Sequence, residues 1–290
     1  MYNFSMELTY YVFLFLSGLF AGSFLNVIAD RSVSGESFLF GRSHCDKCGK
    51  LLNFPDLIPL LSFTLNRGKC RSCSTKLSFW YPISELITGI AFAGALYISK
   101  GFNIYFFLLV VMFSFFIILF LADAKYYLVP TKVIIPAIVF LFLFGVLSRV
   151  YALVEFYFRL KNDTLGRYLL NVGYWNVQAV YILKTYGIQV LSALLIALFF
   201  WFLVYITKGR GMGGGDILLG LLIGLFNDFP HNLLGIFLGF VFGAAFSLPL
   251  VLLKIKGMKD TVPFGPFLIL GSIVALLFGP QLVEYYLKLF

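Results

Sequence analysis

The sequence predicts an all-α polytopic membrane protein of about eight transmembrane helices, with one small cysteine-bearing loop on the cytoplasmic side. Three observations carry that expectation. The 290-residue chain is 61% hydrophobic and only 12% charged, where soluble domains carry about 25% charge. Its apolar residues fall into runs near the ~20 residues that a helix needs to cross a bilayer. All four cysteines sit in one short polar stretch. The net charge of +9 is spread over several loops. That pattern fits basic loops held against an anionic membrane surface, so membrane lipid is expected as a partner and nucleic acid is not.

Taken in order, the apolar runs cover roughly 8–28, 83–99, 102–122, 132–151, 188–207, 217–229, 232–253 and 263–283. The first lacks a basic leader and a small-residue cleavage site, so it is expected to stay as a span. The second and third are separated by little more than Lys100-Gly101, which predicts a tight helical hairpin. The sixth is short and suits a half-span or a tilted helix. These runs divide the chain into a first span (1–29), a polar loop (30–82) and a membrane domain (83–290). With the loop 30–82 placed inside, the inner connections hold 15 Lys and Arg, among them Arg31, Arg42, Lys125, Arg210, Lys256 and Lys259, and the other side keeps seven. The bias predicts both termini outside and the cysteine loop in the cytoplasm. The stretch 152–187 then reads as a long outer loop whose Tyr, Leu and Val suit an interfacial helix.

Within the polar loop, Cys45-x-x-Cys48 is followed after 21 residues by Cys70-x-x-Cys73. Two such pairs read as a zinc ribbon of two knuckles, with four thiolates around one tetrahedral ion. Four protein ligands leave no open position, so the zinc would be structural. Gly49 and Gly68 suit the tight turns, and Lys47, Lys50, Lys69 and Arg71 would offset the excess negative charge. The other readings are two disulfides, which a reducing cytoplasm disfavours, or a thioredoxin-like redox pair. His44 reads as a polar loop residue.

An acid at membrane depth is costly and usually functional. Asp216 is such an acid: it follows Gly211-Met212-Gly213-Gly214-Gly215 between apolar runs. Glycines there allow positive φ and close approach by a second backbone. Asp30, Glu36, Asp46 and Asp56 fall in the predicted loop, Asp228 and Glu284 on the outer side, and Asp260 beside Lys256 and Lys259. Asp123, ending the third span on the inner side, is therefore the candidate partner. Two close carboxylates push their pKa values apart, as an acid/base pair requires. One would deprotonate a water while the other protonates a scissile carbonyl. The alternatives are structural: Asp123 as a helix-end charge paired with Lys125, and Asp216 as a helix cap. A non-catalytic scaffold or transporter with acids lining a polar path is the reading from another class. The glycines beside Asp216 separate the two, since an ion relay has no need of an approaching peptide.

These motifs, in this order, resemble the bacterial type IV prepilin leader peptidases, the bifunctional prepilin peptidase/N-methyltransferases. Gly22-Ser23-Phe24-Leu25-Asn26-Val27 followed by Arg31 resembles the family's opening motif. The two cysteine pairs enclose Ile58-Pro59-Leu60-Leu61-Ser62, and Tyr81-Pro82-Ile83-Ser84-Glu85 follows them. Asp123 with Pro130, Gly213-Gly214-Gly215-Asp216 (the GxGD motif) and Pro263-Phe264-Gly265-Pro266-Phe267 complete the match. The resemblance implies an intramembrane aspartic endopeptidase of the bacterial inner membrane. Its catalytic pair would be Asp123 and Asp216, with Gly213, Gly214 and Gly215 as supporting backbone. Its substrates would be type IV prepilin or pseudopilin precursors, cut at the cytoplasmic face. The resemblance also implies N-methylation of the new amino terminus from S-adenosylmethionine, a reaction of the amino-terminal part and the cysteine loop, where Asn26, Arg31 and Glu85 are the candidate residues. A peptidase without methyltransferase activity stays open. Thr131, Leu218 and Ser32-Val33-Ser34 depart from the family pattern, which usually has Asp, Lys and a proline there.

Overall fold

The computed structural model describes residues 2–37, 41, 43–45, 47–209, 211–255, 257 and 262–288, with side chains from residue 7 onward. Arg42, Asp46, Arg210, Lys256, Lys259 and Asp260 lie outside the described residues. The chain folds as helices α1 Tyr2–Ser34, α2 Leu61–Leu65, α3 Trp80–Ser99, α4 Ile104–Tyr126, α5 Thr131–Asn162, α6 Thr164–Asn171, α7 Tyr174–Thr207, α8 Gly214–Phe226, α9 His231–Leu252 and α10 Gly265–Leu287. Among the described residues, β-structure is confined to two isolated bridges.

Among the described residues, seven helices (α1, α3, α4, α5, α7, α9 and α10) are long and apolar enough to cross a membrane. The short sixth run is α8, with 13 residues. At 1.5 Å per residue it reaches about 20 Å, short of a ~30 Å hydrocarbon core. The hairpin after α3 forms as expected. Lys100 takes φ 55° and Gly101 φ 137°, and the Phe106 N–H donates to Asn103 Oδ1 at 3.0 Å to start α4.

Two expectations need correction. The stretch 152–187 is not a loop: α5 runs on to Asn162, α6 follows, and α7 begins at Tyr174. Its charged residues lower hydropathy without lowering helix propensity, and it contains no proline, so the helices continue past the apolar runs. Breaks fall where Asp163 caps α6, accepting from the Gly166 N–H at 3.3 Å, and where Gly173 takes φ 82°. Likewise α1 extends to Ser34, so Asp30 and Arg31 stand on its last turns rather than in the loop.

The chain forms two compact units, Met1–Val133 and Ile134–Phe290. In the first, α1 packs on α3 and both pack on α4. Small residues let the backbones meet: a Cβ on Gly22 would lie 2.7 Å from Glu85 Cα, and one on Gly18 2.7 Å from Gly89 Cα. Spacing two glycines four apart on one face is how membrane helices pack closely without a hydrophobic driving force.

In the second unit α9 packs on α10 and α8 on α7. The end of α8 leaves carbonyls that lipid cannot satisfy. Side chains do so instead. Gln189 Nε2 donates to Leu225 O at 2.8 Å. Asn232 Nδ2 donates to Gly224 O at 3.2 Å and to Ser192 Oγ at 2.6 Å. Asn227 Nδ2 donates to Ser272 Oγ at 2.7 Å. These groups hold the half-length helix whose first turn carries Asp216.

Candidate active site

The cysteine segment contains two copies of one knuckle. His44 bridges Leu51 around the first pair and Lys69 bridges Lys76 around the second; each bridge joins the residue before the first cysteine to the third after the last. The Cys45 N–H donates to Lys50 O at 3.0 Å and the Cys70 N–H to Thr75 O at 2.8 Å; the Gly49 N–H donates to Cys45 O at 2.8 Å and the Ser74 N–H to Cys70 O at 2.9 Å. Gly49 and Ser74 are equivalent and both take positive φ, 66° and 55°. The first thiol of each pair is buried and the second exposed. The two knuckles bring all four Sγ atoms within 4.8 Å of one another, and Cys45 Sγ lies 3.9 Å from Cys73 Sγ. Tetrahedral zinc with Zn–S of ~2.3 Å needs S···S near 3.8 Å, so this donor set fits such an ion. Hydrogen bonds from the Thr75 hydroxyl and backbone hold the Cys73 thiol down to about 6, and backbone N–H groups of Cys48 and Lys47 lower Cys45. Both favour the thiolate that a metal requires.

Asn26 on α1 and Glu85 on α3 lie in the region where these two helices pack together. Asn26 is fully buried; its Nδ2 donates to Gly22 O at 3.3 Å and to Ser84 Oγ, and its Oδ1 accepts from Lys125 Nζ at 3.2 Å. Lys125 also pairs with Asp30 at 2.9 Å and lies over the Tyr81 ring at 5.2 Å. Tyr126 Oη donates to Asp30 at 3.0 Å. Glu85 is buried and accepts from the Leu60 N–H at 2.8 Å. Arg31, by contrast, points along the chain: Nη1 donates to Ser37 O at 3.1 Å and Nε lies 3.9 Å from Glu36.

Asp123 is buried on the last turn of α4, and its backbone carbonyl accepts from the Tyr127 N–H at 2.9 Å. Asp216 is buried in the first turn of α8. Its Oδ2 accepts from the Gly213 N–H at 3.1 Å: Gly213 is the N-cap and Asp216, at the third helical position, reaches back to it rather than capping the helix itself. Asp123 belongs to the first compact unit and Asp216 to the second. The glycines act differently from expectation. Positive φ falls at Lys208 and Gly209, while Gly213 takes φ −84° in extended backbone. What Gly214 contributes is open space, since a Cβ there would meet nothing within 4 Å.

Sequence reasoning missed the tie between Lys125, Asp30 and Asn26. A lysine at an apolar helix end two residues beyond Asp123 was the available signal. The helix-packing glycines were legible in the spacing of Gly18 and Gly22.

A multi-pass helical membrane protein with a four-cysteine module and buried carboxylates at helix ends is the class that fold and site define. Residues 16–99 match the bacterial peptidase A24 N-terminal domain. The chain is 30% identical over 276 residues to a prepilin leader peptidase/N-methyltransferase of Bacillus subtilis, covering 95% of this chain and 97% of that one. It is 25% identical over 296 residues to a protein of the same name from Pseudomonas aeruginosa, covering 94% and 92%. Over 85 residues, 29% of this chain and 25% of the relative, it is 45% identical to a third of that name from Myxococcus xanthus. The chain belongs to the prepilin leader peptidase/N-methyltransferase family. No solved structure matches it.

Proposed function

We propose that this protein removes the leader peptide from type IV prepilin or pseudopilin precursors at the cytoplasmic face of the bacterial inner membrane, and then methylates the new amino terminus. Family membership across 95% of the chain carries the reading. Asp123 and Asp216 are the proposed catalytic acids. Each is buried at the end of an apolar helix, where a carboxylate is costly unless it works. The ionised member takes a proton from water, the protonated member donates to the scissile carbonyl, and the peptide bond is hydrolysed without a covalent intermediate. Gly213, Gly214 and Gly215 lie beside Asp216, and the open space at Gly214 leaves room for an extended substrate backbone.

The first helix and the cysteine module form the methyl-transfer part, with Asn26, Arg31 and Glu85 as its residues and S-adenosylmethionine supplying the methyl group. Cys45, Cys48, Cys70 and Cys73 hold one structural zinc, which neutralises thiolates and closes the two knuckles on each other. The module faces the cytoplasm, and both termini lie outside provided that α8 completes a crossing. Co-expression with a model prepilin, followed by mass analysis of its amino terminus, reads both reactions at once. Leader removal with one added methyl group is the expected product. An uncut precursor from well-inserted protein would exclude the peptidase.

A further inference from the structure

Between the two knuckles the chain makes a strained turn. The Leu61 N–H donates to Pro59 O at 2.6 Å across Leu60, whose backbone lies at φ 60°, ψ −46°. This is a γ-turn of the rare hand that L residues adopt only where their surroundings force it. The Leu60 N–H, pointing away from the turn, donates to Glu85 Oε2 at 2.8 Å. Glu85 is 6% exposed on α3 and also takes a hydrogen bond from Ser23 on α1. One buried carboxylate therefore joins α1, α3 and the segment between the metal-type knuckles. Helix α2 starts at the next residue, and the second knuckle follows it, so the turn sets where both begin.

We propose that Glu85 is a positioning residue. It fixes the Leu60 turn, and with it the cysteine module, to the membrane helices, and methyl transfer depends on it through that placement rather than through proton transfer. Its hydrogen bonds to the Leu60 amide and Ser23 engage the carboxylate inside the chain, as befits an anchor. The dependence on methyl transfer rests on the function proposed above; the anchoring itself does not.

The test uses the full chain in membranes, with amide hydrogen exchange over residues 57–65 and mass analysis of co-expressed prepilin. In Glu85→Ala, exchange should quicken about tenfold or more, the loss expected for a hydrogen bond to a charged group. Methylated product should fall at least tenfold while cleavage continues. Glu85→Gln keeps a carbonyl oxygen for the Leu60 N–H, a weaker acceptor than the carboxylate, so its exchange and its methylation should both stay closer to wild type than those of Glu85→Ala. If Glu85→Ala does not insert, Glu85→Asp, one methylene too short, takes its place. Unchanged exchange in Glu85→Ala overturns the anchor. Wild-type exchange with methylation lost in Glu85→Gln overturns the positioning role in favour of proton transfer. If wild type cleaves without methylating, the methyl-transfer reading fails, and exchange alone decides the anchor.

Discussion

Lys125 Nζ sits 2.9 Å from Asp30 Oδ1 and 3.2 Å from Asn26 Oδ1, two residues beyond Asp123 on α4. The end of the helix that carries a proposed catalytic acid is thereby pinned to the helix that carries a proposed methyl-transfer residue. Lys125 is 10% exposed and Asp30 27%, so solvent screens the pair only partly. Lys125→Met should lower stability by about 1–3 kcal/mol, because it leaves Asn26 Oδ1 without its donor and Asp30 with the Tyr126 hydroxyl. Thermal unfolding in detergent measures this, and adding Asp30→Asn should recover part of the loss. A double mutant no better than the single would show that the pair is not coupled.

Asp123→Asn and Asp216→Asn should each reduce prepilin cleavage by roughly a thousandfold or more, the upper range for a lost acid or base. Asparagine at 216 still offers an oxygen to the Gly213 N–H, so α8 should start normally and the protein should insert. Substantial cleavage by either variant would remove that residue from the catalytic pair.

Purified protein should contain one zinc per chain, and Cys45→Ser/Cys48→Ser should contain none. Protons compete with the ion for thiolates, so zinc should be released as pH falls. Full zinc content in the double mutant would rule out this ligand set.

Ser74→Gly should strengthen the second knuckle by about 0.5–1 kcal/mol. Ser74 holds φ 55° where the first knuckle has Gly49 at φ 66°, and a left-handed backbone costs a residue with a Cβ about 1–2 kcal/mol, partly offset by glycine's greater freedom when unfolded. Zinc should then persist against a chelator severalfold longer. Faster release would mean the Ser74 side chain makes a contribution larger than the backbone strain.

Asn232→Leu should lower the thermal midpoint by an amount corresponding to about 1–3 kcal/mol, since Gly224 O and Ser192 Oγ both lose their donor in a fully buried place. Ser192→Ala, which removes one partner but leaves the Gly224 carbonyl capped, should cost less. Equal losses would locate the effect in the Ser192 contact rather than in the end of α8.

Some of this architecture was open to reading from the residues alone. Long apolar runs have few outcomes in a bilayer, where every backbone group must be satisfied within a helix, so the eight runs and the shortness of the sixth were legible from hydropathy and length, while the structure showed that run to be a 13-residue helix. The two C-x-x-C pairs likewise point to a four-thiolate cluster, because paired thiols at that separation suit one tetrahedral ion. Hydropathy failed at 152–187, where charged residues continue a helix rather than end it, and at Asp30, which belongs to α1. The partners of buried polar groups were decided only by tertiary structure. Nothing local links Lys125 to Asp30, 95 residues apart, or the Leu60 amide to Glu85, 25 residues on. A buried donor donates to whichever acceptor the packing delivers, and here the packing is set by glycines such as Gly22, whose missing side chain lets α1 reach α3 at Glu85.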